Sequence, residues 1–175
     1  MSDRCLECGF EYDSVTPASA AELLRGFGAR YEKPLTRFLP GEDGLALLRT
    51  RPGPWTWSAL EYACHVRDVF DVYDERVRRV LTEDRPALES MQRDERPARD
   101  RYNEQEPATV VADLGVNADR LAGSFAAVDE EAWDRIGLQP SAGERDLRWM
   151  AGNVVHEGNH HLLDVGRVLR TVRGK

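Results

Sequence analysis

Apolar residues in the last third of the chain recur with helical spacing. Between Asp146 and Val172, residues Leu147, Ala151, Val154, Gly158, Leu162, Val165 and Leu169 fall within an arc of roughly 80° when each residue turns 100°. An arc that narrow is the buried stripe of an amphipathic helix. Tyr62, Val66, Val69, Phe70 and Tyr73 make a second stripe on a helix that Thr56 or Ser58 can cap and that reaches about Leu81. A first helix is expected from about Ser19 to Leu39, capped near Thr16-Pro17 and stopped by Pro40-Gly41, and a third from about Ala108 to Val128. Asp129 can cap one further short turn, and LQPSAGE (138–144) reads as a loop or hairpin. No segment alternates convincingly as a strand. The expected fold is therefore all-α, a four-helix bundle at residues 19–175, preceded by an arm at 1–18.

Composition narrows the function. At 175 residues the chain has one domain of common size. With 31 Asp and Glu against 24 Lys and Arg it is acidic, which argues against a nucleic-acid or anionic-membrane partner. No apolar run approaches a membrane span, and the polar start MSDRCLECG is unlike a signal peptide, so a cytoplasmic protein is expected. Three cysteines, an odd number, argue against a disulfide framework in such a compartment.

The chemistry concentrates in VVHEGNHHLLDVG (154–166). His156, Glu157 and His160 spell H-E-x-x-H, in which two histidines bind zinc and the glutamate serves as base. Doubling of the histidine creates a second pair, Glu157 and His161. On the wheel, Glu157 and His161 sit on the shoulder of the apolar stripe, whereas His156 and His160 point away from it and are expected to face water. A metalloprotease would also need a third ligand, and no Glu or His follows His161. On the second helix His65 occupies the same kind of shoulder, with Asp68 one turn on. A histidine there is commonly a hydrogen-bonded boundary residue, but a carboxylate buried without a partner is costly. Together His65, Glu157 and His161 would offer two nitrogens and a carboxylate, a set that leaves a metal position open. Zn²⁺ suits these donors best, and Fe²⁺, Ni²⁺ or Mn²⁺ also fit.

Two segments resemble the DinB-like superfamily, in particular its mycothiol-dependent maleylpyruvate isomerase-like branch. Trp57-Ser58 with Ala63-Cys64-His65-Val66 is similar to the W-T…L-A-H-L segment of that branch, and Glu157-x-x-x-His161-x-x-Asp164-Val165 to its E-x-x-x-H-A-V-D-L segment. The resemblance implies an up-down-down-up bundle and metal ligands at His65, Glu157 and His161. It further implies that a small thiol such as mycothiol is the cosubstrate and an electrophile the acceptor, in S-transfer or isomerisation. The metal would then act on a bound thiol or water, with no protein nucleophile.

Two other readings stand beside this one. One is a non-catalytic, stress-associated metal-binding bundle, for which a homodimer is compatible; the other is a hydrolase using His156 and His160 as ligands. Cys5-x-x-Cys8 has zinc or redox spacing but no neighbouring motif to complete it, and the resemblance does not cover the arm. Asp68 and Asp164 are candidates to orient the ligand imidazoles. Arg93, Arg96, Arg99 and Arg101, in the polar connection 82–107, are candidates to contact an anionic substrate. Cys64 lies off the apolar stripe and is not assigned as a ligand, and the four tryptophans read as core or rim packing.

Overall fold

A computed structural model describes residues 4–139 and 143–174. Its helices are α1 (Pro17–Arg25), α2 (Phe27–Thr36), α3 (Gly44–Arg49), α4 (Ala59–Thr82), α5 (Arg96–Arg99), α6 (Pro107–Ala126) and α7 (Leu147–Val172). Strands β1 (Ile136–Gln139) and β2 (Gly143–Asp146) pair antiparallel just before α7. Of the loop or hairpin expected of LQPSAGE, the described residues form two paired strands, where no strand pattern was expected. The strands are four residues each, too short to show alternation, and residues 140–142 lie outside the described residues.

Side-chain pairings give the direction of each long helix. Asn117 donates to the Arg67 carbonyl at 3.0 Å and Ser124 to Asp74 at 2.5 Å, so α4 and α6 run parallel. Tyr73 accepts from Asn153 at 2.7 Å while His65, two turns earlier, meets Glu157, so α4 and α7 are antiparallel. Gly28 of α2 crosses Gly115 of α6, and Tyr31 donates to the Gly158 carbonyl of α7 at 2.8 Å. The bundle is thus up-down-down-up. Two parallel neighbours, α4 and α6, need a connection that travels back along the whole bundle, which residues 83–106 supply.

The expected first helix is two. Gly26 carries the break between α1 and α2, and Pro34, which has no N–H to donate, lies close to the end of α2 at Thr36. Helix α3 was not foreseen because six residues are too short for a periodicity; Asp43 caps it by accepting from Ala46 N, and Leu48 anchors it in the core.

The start of α4 positions His65. Ser58 accepts from Glu61 N at 3.2 Å, and Glu61 accepts from Ser58 N at 2.9 Å, a reciprocal cap. Glu61 is buried, yet it also receives both arms of the Arg51 guanidinium. Burial would raise its pKa, but Arg51 and the Ser58 N–H outweigh that and hold it below the ordinary 4.5. Cys64, expected off the apolar stripe, is fully buried, because the connection covers that side of α4: its thiol points at the Tyr102 carbonyl. Trp133 is core, stacked on Phe125, whereas Trp55 is 96% exposed and packs on nothing in the core.

Helix α7 approaches the first helices through Gly158. A Cβ there would come within 2.4 Å of the Phe27 ring, which is fully buried and packed on Phe70.

Two stability predictions follow from these contacts. Gly158→Ala should lower stability by about 1–3 kcal/mol in chemical denaturation, because overpacking outweighs the gain in helix propensity. Glu61→Gln should cost about 1–2 kcal/mol at neutral pH through loss of the charged cap. A depressed folded pKa means that the carboxylate stabilises the fold above its unfolded value and loses that contribution as pH falls through the folded one. The gap between variant and parent should therefore close progressively in melts below about pH 4.5.

Candidate functional site

Helix α4 supplies His65 from its second turn, and α7 supplies Glu157 and His161 from its middle. Because the two helices are antiparallel, these positions meet. Glu157 Oε2 lies 3.3 Å from His65 Nε2 and 3.4 Å from His161 Nε2. All three donor atoms lie within 4.8 Å of one another. Both histidines are buried and meet edge to face, with ring centroids 4.9 Å apart. Trp57 packs against His65 at 5.3 Å, and Tyr62 stacks on His161 at the same distance. Trp57 enters the sequence reading through the resemblance and Tyr62 through the apolar stripe of α4, but neither is assigned to the site there.

Protonation matters to what the cluster can hold. His161 Nδ1 is 3.0 Å from Asp164 Oδ2, so that nitrogen carries the hydrogen and donates it. A neutral His161 therefore turns its Nε2 lone pair toward the Glu157 carboxylate, an arrangement that requires a proton or a cation between them. Without a metal the proton takes that place: burial disfavours the imidazolium, but the bonds to Asp164 and Glu157 outweigh it and raise the His161 pKa. For His65 burial prevails, and its pKa is lowered. Glu157 is held well below the usual carboxylate range: burial opposes ionisation, but the two imidazoles outweigh it. His65 Nδ1 is buried with no hydrogen-bond partner. Two imidazoles and a carboxylate facing one point match the donor preferences of a divalent transition metal.

A cleft of about 320 Å³ opens on His65 and Glu157, walled by Val69, Tyr73, Arg76, Met91, Arg93, Trp149 and Asn153. A larger hollow of about 710 Å³ lies between α1, α6 and Trp133. None of the clustered donors lines it, whereas His65 and Glu157 line the smaller cleft.

The other candidates separate cleanly. Asp164 receives His161 and Arg167. Asp68 does not reach His65: it accepts from Tyr102 at 2.5 Å, from Arg67 at 2.8 Å and from Arg96 at 3.2 Å, because the connection folds back over that face of α4. Arg96 is thereby committed, and Arg99 and Arg101 pair with Asp100 and Glu104 away from the cleft. Only Arg93 of the four lines it, joined by Arg76, which the sequence had not singled out. Arg76 donates to the Glu89 carbonyl through Nη2 and keeps a buried, unpartnered Nε.

His156 and His160, expected to face water, do not. The N-terminal arm covers them: Phe10 and Tyr12 pack on His156 at 5.5 and 5.0 Å, and Cys5 Sγ lies 3.7 Å from His160 Nδ1. The apparent protease motif is thus divided, with Glu157 Oε2 directed to His65 and His161 on one side and both motif histidines turned toward the arm on the other. The arm could not be seen on a wheel of α7 alone.

The fold is a helical bundle with an interhelical His–Glu–His cluster beside a cleft. The chain belongs to the DinB superfamily, whose pattern matches residues 43–165. It is similar in fold to YfiT from Bacillus subtilis, a probable metal-dependent hydrolase with an unusual four-helix bundle topology, at TM-score 0.79 and 16% identity over 88% of this chain and 86% of that one. It is also similar to the mycothiol-dependent maleylpyruvate isomerase, at TM-score 0.68 and 15% identity, covering 89% of this chain and 62% of that one. No curated protein sequence matches the chain. Among the described residues no helix is long and apolar enough to cross a membrane.

Cys64 gives a chemical check on this region. Burial pushes its thiol up to about 12. In metal-free protein at neutral pH, a thiol-titrating reagent should modify only Cys5 and Cys8. The third thiol should react only after denaturant is added.

Proposed function

We propose that the protein is a metal-dependent enzyme in which His65, Glu157 and His161 hold one divalent cation, zinc for preference, at the floor of the cleft. The observation that carries the reading is the convergence of two buried imidazoles and a half-buried carboxylate, with His161 oriented by Asp164. Bound there, the metal would supply a Lewis acid that favours the thiolate of a small thiol at neutral pH.

The chain's own residues do the rest. Trp57 and Tyr62 fix the two imidazole planes, and Asp164 keeps the His161 hydrogen on Nδ1 so that Nε2 stays available. Arg93 and Arg76, which line the cleft, offer cationic groups to an acceptor-rich, anionic electrophile entering it. S-transfer or isomerisation with mycothiol or a related thiol is the reaction class, supported by the fold shared with the mycothiol-dependent isomerase. Hydrolysis is the second reading, supported by the fold shared with YfiT, and it would use the same three ligands.

Assays of zinc-loaded protein with an activated alkene, with and without added thiol, and in parallel with an ester and an amide substrate, decide between them. Thiol-dependent turnover that is lost in His161→Ala together with one equivalent of metal is the expected result. Metal-dependent cleavage of an ester or amide without thiol would replace it with the hydrolase reading, and unchanged metal content in His161→Ala would overturn the ligand set. Asp164→Asn should weaken metal affinity by roughly 10–100-fold while leaving the fold intact. The proton on His161, held above the ordinary imidazole range, must leave before a metal binds. Affinity should accordingly fall as pH drops through the His161 titration and recover above it.

A further inference from the structure

The arm and α7 bring together four donors outside that cluster. Cys5 and Cys8 come from the arm, and His156 and His160 from successive turns of α7; their ligand atoms all lie within 4.8 Å of one another. Cys5 Sγ and His160 Nδ1 are 3.7 Å apart. A tetrahedral zinc with Zn–S near 2.3 Å and Zn–N near 2.0–2.1 Å has donor–donor edges of about 3.3–3.8 Å. One edge is already at that length, and a small contraction closes the others.

The local backbone is shaped for such a site. Gly9 N donates to the Cys5 carbonyl and Cys5 N to the Phe10 carbonyl, both at 2.8 Å, so Cys5-x-x-Cys8-Gly9 folds into a tight knuckle with both thiols on it. Gly9 takes φ +75°, which favours glycine. The arm then crosses α7 at Gly152, where a Cβ would stand 3.3 Å from the Tyr12 carbonyl oxygen. His156 is buried beneath Phe10 and Tyr12, and neither of its ring nitrogens has a hydrogen-bond partner; the nearest carboxylate oxygen is Glu157 Oε1, 3.9 Å from Nδ1. A buried imidazole with two idle nitrogens beside two thiols is the donor that a metal would satisfy. His160 has its other nitrogen, Nε2, 3.3 Å from Glu7 and 3.5 Å from Asp164, carboxylates placed to orient the ring.

We infer that Cys5, Cys8, His156 and His160 form a second, structural zinc site that fastens the N-terminal arm to α7. Two thiolates neutralise the Zn²⁺ charge, which suits a half-covered location, and each cysteine releases its proton on binding. Four protein donors leave no open position, so this site holds structure and does not catalyse. It stands independently of the reading of His65, Glu157 and His161.

The test loads reduced, metal-free full-length protein with Zn²⁺ alone, and in parallel with Co²⁺, under anaerobic conditions. Metal content and the thiolate-to-cobalt charge-transfer band are the readouts. The parent should take up metal and show the band. Cys8→Ser, which alters only the arm, should lose one equivalent and most of the band; His156→Ala, its folding checked by circular dichroism, should do the same. His161→Ala should keep the band whatever happens at the other cluster. Absence of the band in the parent, or its survival at full strength in both Cys8→Ser and His156→Ala, would overturn the site.

Discussion

An α-helix turns 100° per residue, and in α7 that constraint sorts one short run of residues into two chemistries. Positions 157 and 161 share one direction and meet His65 across the seam with α4; positions 156 and 160 share the next and meet the arm. The helix cannot satisfy one pair without presenting the other. Everything around it serves to cover two polar faces of a helix whose remaining face, through Val154, Gly158 and Val165, belongs to the core. The reciprocal cap at Ser58 and Glu61 fixes where α4 begins, and so where His65 falls opposite Glu157.

Burying a carboxylate is expensive, and three of them show how the cost is compensated. Glu157 has an imidazole on either side, Glu61 has both arms of a guanidinium and a backbone N–H, and Asp68 has a phenol and two guanidinium groups. Glu157 and Asp68 sit at junctions between elements distant in sequence, whereas Glu61 ties the segment just before α4 to that helix. The connection 83–106, polar and rich in arginine, is held to α4 and its cap by Asp68 together with Ser58, Arg67 and Arg76, which explains how so hydrophilic a segment keeps a defined path.

The long helices were legible because periodicity and capping chemistry are local: Thr16 and Ser58 are readable as caps within a few residues, whereas α2 ends at Thr36, before the stop expected at Pro40-Gly41. The shoulder positions of His65, Glu157 and His161 were legible for the same reason, with the family resemblance selecting the same three residues. What could not be read depended on one segment covering another. Cys64 lay off its own helix's stripe yet is buried by Tyr102 and its neighbours; Asp68 was spoken for by the connection before His65 could use it. His156 and His160 point away from the bundle core, and nothing in α7 announces that residues 5–12 return to lie on them.

Asp164 stands between the two histidine pairs. One oxygen, Oδ2, is 3.0 Å from His161 Nδ1 and 3.5 Å from His160 Nε2. A single carboxylate so placed reports each ring's charge to the other. Were the proposed cations held on both sides, each would draw electron density through its imidazole and strengthen that ring's hold on Asp164 at the expense of the opposite ring. Their binding would then be linked, and linkage is reciprocal: whatever factor occupancy of the arm side imposed on the cleft side, the cleft side would impose in return.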